Sequence, residues 1–219
     1  MRDRMEFELR EKEHQMKQKQ MSVPETEHRE GQGFFEYIQD PVARKLAESL
    51  AYLMETQAFD KISTSDILKQ SGVSRSTFYR KYRDKYDLLT NNYQLLLNGT
   101  IGMIPKGWSY KKGFFQLYKA LLGYPSFFKN ALSSREPNGL RNYILQQSCE
   151  IFSYLLREQG INMEDDYYRL LVRGYVEGAL EVTCIWVQQG MKLPLEKLFR
   201  ISFELMPHEI QTRMALFYM

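Results

Sequence analysis

From Val42 onward, apolar side chains return at intervals of three and four. Val42, Leu46, Leu50, Leu53 and Met54 make one stripe. Asp40 and Pro41 give it a helix start, because a proline in the first turn loses only an amide that has no intrahelical partner. Tyr168, Leu171, Val172, Tyr175, Val176, Ala179, Leu180, Thr183, Cys184 and Val187 make a second stripe, which buries one face of a long helix. Further helices are predicted over 111–122, 125–132, 138–159, 164–189 and from Pro194 onward, each bounded by Gly, Pro or an Asn/Asp cap. No segment alternates as a strand does, and no repeat of solenoid period is present. The pattern predicts an all-α chain with a small N-terminal unit and a larger C-terminal bundle.

Between these stripes the periodicity shortens. Ser63 is followed three residues later by Asp66, so each can satisfy an amide of the other at the start of a helix carrying Ile67 and Leu68. Gly72 stops that helix, since only a residue without a β-carbon enters the left-handed turn freely. Ser74 caps a third helix running to Tyr82, and Asp84 with Asp87 caps a fourth from Lys85 through the leucines at 88, 89, 95, 96 and 97. Two short helices joined at a glycine and flanked by longer ones form a helix-turn-helix pattern.

Residues 1–33 read differently. They are charged and carry Glu–Lys and Glu–Arg pairs four apart but no apolar face, and Pro24 to Gly33 is linker-like. This gives three parts: a charged arm and linker over 1–33, a helix-turn-helix domain over 34–92 and a helical domain over 93–219. Glu11 and His14 have the Glu-x-x-His spacing of some metal-binding bundles, but on a helix that faces water, so neither a metal nor a cofactor is expected.

Composition narrows the class. With 43 % apolar and 26 % charged residues the chain matches ordinary folded proteins, which disfavours disorder and fibrous architectures. Cys149 and Cys184 fit no zinc spacing and no disulfide framework, and read as small buried residues of a protein in a reducing cytoplasm. The first twenty residues lack the apolar stretch of a secretory signal, and no apolar run is long enough to span a membrane. Metalloprotease, nucleophile-elbow, P-loop and dinucleotide fingerprints are all missing, and three histidines leave few acid–base candidates, so an enzyme is not expected.

The net charge of +3 says little until it is resolved along the chain. Lys69, Arg75, Arg80, Lys81, Arg83 and Lys85 then stand against the single anion Asp84, a compact basic patch that suits a localised anionic partner. Within it, residues 74–83 meet the demands on a major-groove recognition helix. Phe78 and Tyr82 pack inward with Val73 and Ile67, while Arg75, Ser76, Thr77 and Tyr79 stay exposed to donate to base edges and phosphates. Lys85 in the first turn of the next helix opposes the helix dipole, which a bridging phosphate would relieve.

Residues 42–89 resemble the DNA-binding domain of TetR/AcrR-type transcriptional regulators, whose pattern is Thr-x-x-x-Ile-Ala, Ala-Gly-Val-Ser, Gly-Thr-Phe-Tyr, then Phe-x-x-Lys-x-x-Leu-Leu. Here it reads Ser63 with Ile67-Leu68, Ser71-Gly72-Val73-Ser74, Ser76-Thr77-Phe78-Tyr79, then Tyr82, Lys85 and Leu88-Leu89. The departures are Leu68, Ser71 and Ser76, where the family has Ala, Ala and Gly. The resemblance implies that Ser63 and Lys85 hold phosphates and that Thr77 and Tyr79 touch backbone or bases. Thr64, Ser74, Arg75, Ser76 and Arg80 complete the expected contacts with double-stranded operator DNA.

The segment 114–124, the helix over 138–159 and the run from Tyr167-Tyr168 through Trp186 to Gly190 and Met191 resemble the C-terminal region of a subgroup that includes regulators of dihydroxyacetone-kinase genes. The resemblance implies a bundle that binds a small-molecule effector and forms a homodimer through helices near 164–190 and 194–206. Gly174 and Gly178, one turn apart, suit a close helix pair at a twofold axis, or close packing within one subunit. Trp108, Phe114, Tyr118, Tyr143 and Phe152 are the aromatic candidates for the effector pocket, with core packing as their other reading. Repression is the family's commoner outcome, although members of the subgroup activate. The competing reading is a protein-binding adaptor that keeps the fold without binding an operator.

Overall fold

Local chemistry at each helix start sets the architecture. The computed structural model describes residues 33–214, so Glu11 and His14 and nearly all of the expected arm lie outside the described residues. Helix α1 (Pro41–Met54) begins where Asp40 Oδ1 accepts the Ala43 amide at 2.8 Å. Helix α2 (Thr64–Ser71) begins in a reciprocal capping box: the Ser63 amide donates to Asp66 Oδ2 at 2.8 Å and the Asp66 amide to Ser63 Oγ at 3.2 Å. Helix α3 (Arg75–Lys81) is capped by Ser74, and α4 (Lys85–Asn98) by Asp84. In both, the cap oxygen accepts the amide three residues ahead, as the sequence spacing predicts.

The first four helices close over one core. Leu46, Leu50, Ile67, Phe78, Leu88 and Leu89 are almost completely buried in it, with α1 packed against both α2 and α4. The sequence expectation ends this domain at 92, but α4 continues unbroken to Asn98. Tyr93 in its middle lies against Phe128 and Tyr143, at ring distances of 6.5 Å each, so the helix is shared with the C-terminal helices.

Beyond a 3₁₀ segment at Ile101–Lys106 come α5 (Tyr110–Leu122), α6 (Pro125–Ser133), α7 (Leu140–Glu158), α8 (Asp166–Gln188), α9 (Leu195–Glu204) and α10 (His208–Met214). Helix α8 packs against α7 and α6, and α5 against α9. No strand occurs among the described residues, so the chain is all-α there, with a helix-turn-helix domain ahead of a helical bundle. No described helix is long and apolar enough to cross a membrane.

Sequence periodicity gives no hint of the segment just ahead of α1. Phe34, Phe35 and Ile38 are buried, and the two phenylalanines join Tyr124, Phe127 and Phe128 in an aromatic cluster with ring centroids 4.6 to 6.4 Å apart. Two residues past the predicted linker, the chain is thus pinned to α6. Aromatic edge-to-face contacts of this kind add about 0.5 to 1.5 kcal/mol each beyond area burial.

Candidate nucleic-acid interface and internal cavity

The turn between α2 and α3 follows from two residues. Gly72 sits at φ 66°, where a β-carbon would be strained. Ser71, a departure from the family's alanine, is buried but not orphaned: its hydroxyl donates to Leu68 O at 3.3 Å and accepts the Val73 amide at 3.2 Å. The extra oxygen therefore fastens the turn from inside.

Helix α3 is held from below by Phe78, fully buried, and at its far end by Lys81, whose ammonium meets Asp40 Oδ2 at 2.7 Å. Its opposite side is open. Arg75, Ser76, Tyr79 and Arg80 are exposed, Tyr79 by 49 %, and Thr77 is half-buried. Arg75 Nη2 donates to Ser65 Oγ at 3.2 Å, which links the two helices on that side. Ser74 Oγ lies 3.0 Å from Ser76 Oγ and 2.8 Å from Thr77 Oγ1, so three hydroxyls cluster at the N-terminus of α3. Thr64 is half-buried at the start of α2, beside exposed Ser63. The face thus carries hydroxyls, a phenol and guanidinium groups, which are donors suited to phosphate oxygens and base edges.

The two side chains expected to hold phosphates are already engaged. Ser63 Oγ donates to Asp66 Oδ2 at 2.6 Å, and hydrogen bonds from Ser63 hold the Asp66 carboxyl below its ordinary pKa, so an anion sits beside that hydroxyl. Lys85 Nζ donates to the carbonyls of Phe59 at 2.8 Å, Asp60 at 3.0 Å and Ile62 at 2.7 Å, which uses all three ammonium protons. It also lies 4.8 Å from the Phe59 ring centroid and 5.2 Å from that of Tyr86. Burial lowers its pKa, opposed by the nearby carboxylates. The ammonium thus sits on the carbonyl ends of the turn at Phe59–Lys61. Sequence spacing could not bring that turn to it.

A second link runs from the bundle to the same turn. Asn130 on α6 accepts the Phe59 amide at Oδ1, 2.7 Å away, and donates from Nδ2 to Met54 O at 2.9 Å and Gln57 O at 2.5 Å. Ser134 Oγ adds a 2.6 Å bond to Asp60 Oδ1. A single asparagine in Phe-Phe-Lys-Asn-Ala-Leu-Ser gives no sequence signal of this role.

Helix α6 also supplies Phe128 and Leu132 to an internal cavity of about 90 Å³. Of the five aromatic candidates, Phe114, Tyr118 and Phe152 line it, whereas Trp108 and Tyr143 do not. Trp108 precedes α5, with Lys112 Nζ 4.5 Å from its ring centroid. The Tyr143 hydroxyl donates to the Gln94 carboxamide, on the side of α7 that faces an outer polar cleft against α4. Helical phase separates it from the cavity.

The lining also carries hydroxyls, of which Tyr175 and Thr183 belong to the buried stripe of the long helix. Tyr110 and Tyr175 hydroxyls lie 3.3 Å apart, and Tyr118 OH donates to Thr183 Oγ1 at 2.6 Å, which itself donates to Ala179 O. Ser202 on α9 also lines the cavity, and its buried hydroxyl has no partner. A serine in the apolar stripe Leu195, Leu198, Phe199 is the one hint the sequence offered. Burial raises the pKa of Tyr110, Tyr118 and Tyr175, keeping them neutral.

Comparison with known proteins agrees with this arrangement. A family model described as bacterial regulatory proteins, tetR family, matches residues 48–91, which contain α2, α3 and the first half of α4. A second, described as a transcriptional regulator C-terminal region, matches residues 109–208, from the start of α5 to the start of α10. No curated protein matches the chain by sequence. Among solved structures the chain is similar to the dihydroxyacetone kinase operon activator DhaS, with a TM-score of 0.55 and 18 % identity over 81 % of this chain and 98 % of that one. At that identity the likeness is one of fold. With a tetR-type helix-turn-helix followed in one chain by a regulator C-terminal region, the protein belongs to the TetR family of transcriptional regulators.

Proposed function

We propose that the protein binds a palindromic operator as a homodimer, each subunit presenting α3 to a major groove, and that a small-molecule effector in the internal cavity changes the affinity. The observation that carries this reading is the composition of the open side of α3: Arg75, Ser76, Thr77, Tyr79 and Arg80 together, above a buried Phe78. An adaptor has no use for that set on one face.

Dimerisation rests on α8. Leu170 is 71 % exposed and Ile185 43 % exposed, on the same face as Gly174 and Gly178. A β-carbon built at either glycine meets nothing within 4 Å, so close packing inside the subunit does not account for them. A second copy of α8 does; Ile201 and Leu205 at the end of α9 are further exposed apolar side chains.

Effector coupling follows the route from the cavity through α6 to the turn ahead of α2. Phe128 and Leu132 feel the cavity, and Asn130 between them grips Met54, Gln57 and Phe59. A shift of α6 on binding would move this turn and respace the two recognition helices. Repression is the reading favoured by the family; activation is the second, because the fold relative is named an operon activator.

Selection of genomic DNA fragments by the purified full-length protein tests this. An imperfect palindrome is the expected result. Recovery of no preferred sequence would favour the adaptor.

A further inference from the structure

The lining of the cavity restricts what can enter it. None of its side chains carries a formal charge: leucines, isoleucines and aromatic rings dominate, and the polar atoms are hydroxyls. A carboxylate, phosphate or ammonium brought there would lose its hydration with no opposite charge to replace it. An uncharged molecule meets no such barrier.

The hydroxyls have protons to give. Tyr110 and Tyr175 hold two O–H groups but share one mutual hydrogen bond, which leaves a proton without an acceptor. Ser202 Oγ, in a residue only 2 % exposed, has no partner at all. Buried polar groups are almost always paired, and leaving one unpaired is destabilising, so this orphan on a cavity wall points to a guest. By contrast, Tyr118 and Thr183 pass their protons on to the Ala179 carbonyl. What the lining wants is an oxygen acceptor on an otherwise apolar body.

Size sets the last limit. Apolar cavities of about 150 Å³ hold benzene, so this one, at about 90 Å³, takes roughly four non-hydrogen atoms as it stands. We propose that the effector site accepts small, uncharged, largely apolar carbonyl or hydroxyl compounds, anchored by Ser202, and rejects their charged counterparts. This rests on the reading of the cavity as the effector site and names its chemistry.

The test uses acetone and acetate, which share shape but differ in charge. Saturation-transfer NMR titrations on the full-length, DNA-free protein are run for wild type, Ser202→Ala and the cavity-filling Ala179→Leu. Acetone is expected to bind wild type at least about tenfold more tightly than acetate, and Ser202→Ala to weaken it about fivefold, with Tm unchanged or raised because an unpaired hydroxyl is gone. Ala179→Leu is expected to abolish the signal. Equal binding of acetate, no binding of acetone, or indifference to both substitutions would overturn the proposal. Operator selection on ligand-free protein is scored separately. A lost operator with ketone binding intact would defeat the regulator reading alone, and an intact operator with no ketone binding would defeat only the ligand assignment.

Discussion

Asn130 and Phe59 stand 71 positions apart in sequence, and the side chain of one holds the backbone amide of the other at 2.7 Å. The same carboxamide spans Met54 O and Gln57 O, so a single residue of the bundle supplies the hydrogen bonds that the chain between α1 and α2 cannot make for itself. Removing it strands three backbone groups. Asn130→Ala is expected to lower stability by about 2 kcal/mol, read from urea unfolding, and to blunt the effector's influence on operator affinity more than the affinity itself. If the response to effector survives at full size, this link is structural only.

Lys85 offers a sharper contrast. As a tether to Phe59, Asp60 and Ile62 it should matter to folding, not to counterion release. Lys85→Met is expected to cost about 1 to 3 kcal/mol of stability while leaving the salt dependence of DNA binding unchanged. Arg80→Ala should do the reverse, reducing the slope of log affinity against log salt by about 1 unit per subunit with little change in stability. A reduced slope for Lys85→Met would restore the phosphate contact.

The buried tyrosines make the fold sensitive to alkali. Burial raises Tyr93, Tyr110, Tyr118 and Tyr175 above 10.0, and burial with Asp40 and Asp87 pushes Tyr82 up to about 12. In each case the folded state holds its proton to higher pH than the unfolded chain does. Their contribution is therefore complete below pH 10.0 and is lost as pH rises through the raised values, at about 1.4 kcal/mol per pH unit for each group. Urea midpoints should fall steeply above that pH, with these five groups contributing to tyrosinate absorbance only on unfolding. A native-state absorbance rise that accounts for all fifteen tyrosines would contradict the burial.

At Gly178 two effects point in opposite directions. Alanine there meets no atom of its own subunit within 4 Å and removes a mid-helix glycine, so the isolated subunit should gain about 0.5 to 1 kcal/mol. Gly178→Leu, whose β-carbon likewise meets no intrasubunit atom within 4 Å, should hold two α8 helices apart and shift sedimentation toward the monomer. A leucine variant that sediments as wild type would place the interface elsewhere.

Much of the fold was legible because its signals are local. Caps at Asp40, Ser63, Ser74 and Asp84 and the glycine at 72 act within four residues of themselves, and α1 to α4 start and stop where those residues dictate. The exposed side of α3 was readable for the same reason, since Phe78 fixes the helix phase. What sequence could not show depends on distant partners. Lys85 looked available until the turn at Phe59–Lys61 folded against it. Tyr143 and Tyr175 are alike in sequence, yet packing turns one to Gln94 and the other to the cavity. Phe34 and Phe35 stand beyond any periodic stripe and become core only because α6 lies over them.

The central claim is that α3 reads DNA. Binding of the selected fragment should be titrated at about 50 and about 200 mM salt for wild type and Tyr79→Ala. Several phosphate contacts per dimer predict a loss on the order of a thousandfold between the two salts. Tyr79→Ala is expected to weaken the selected site markedly and random DNA much less. Weak, sequence-blind binding that ignores the substitution would contradict the account.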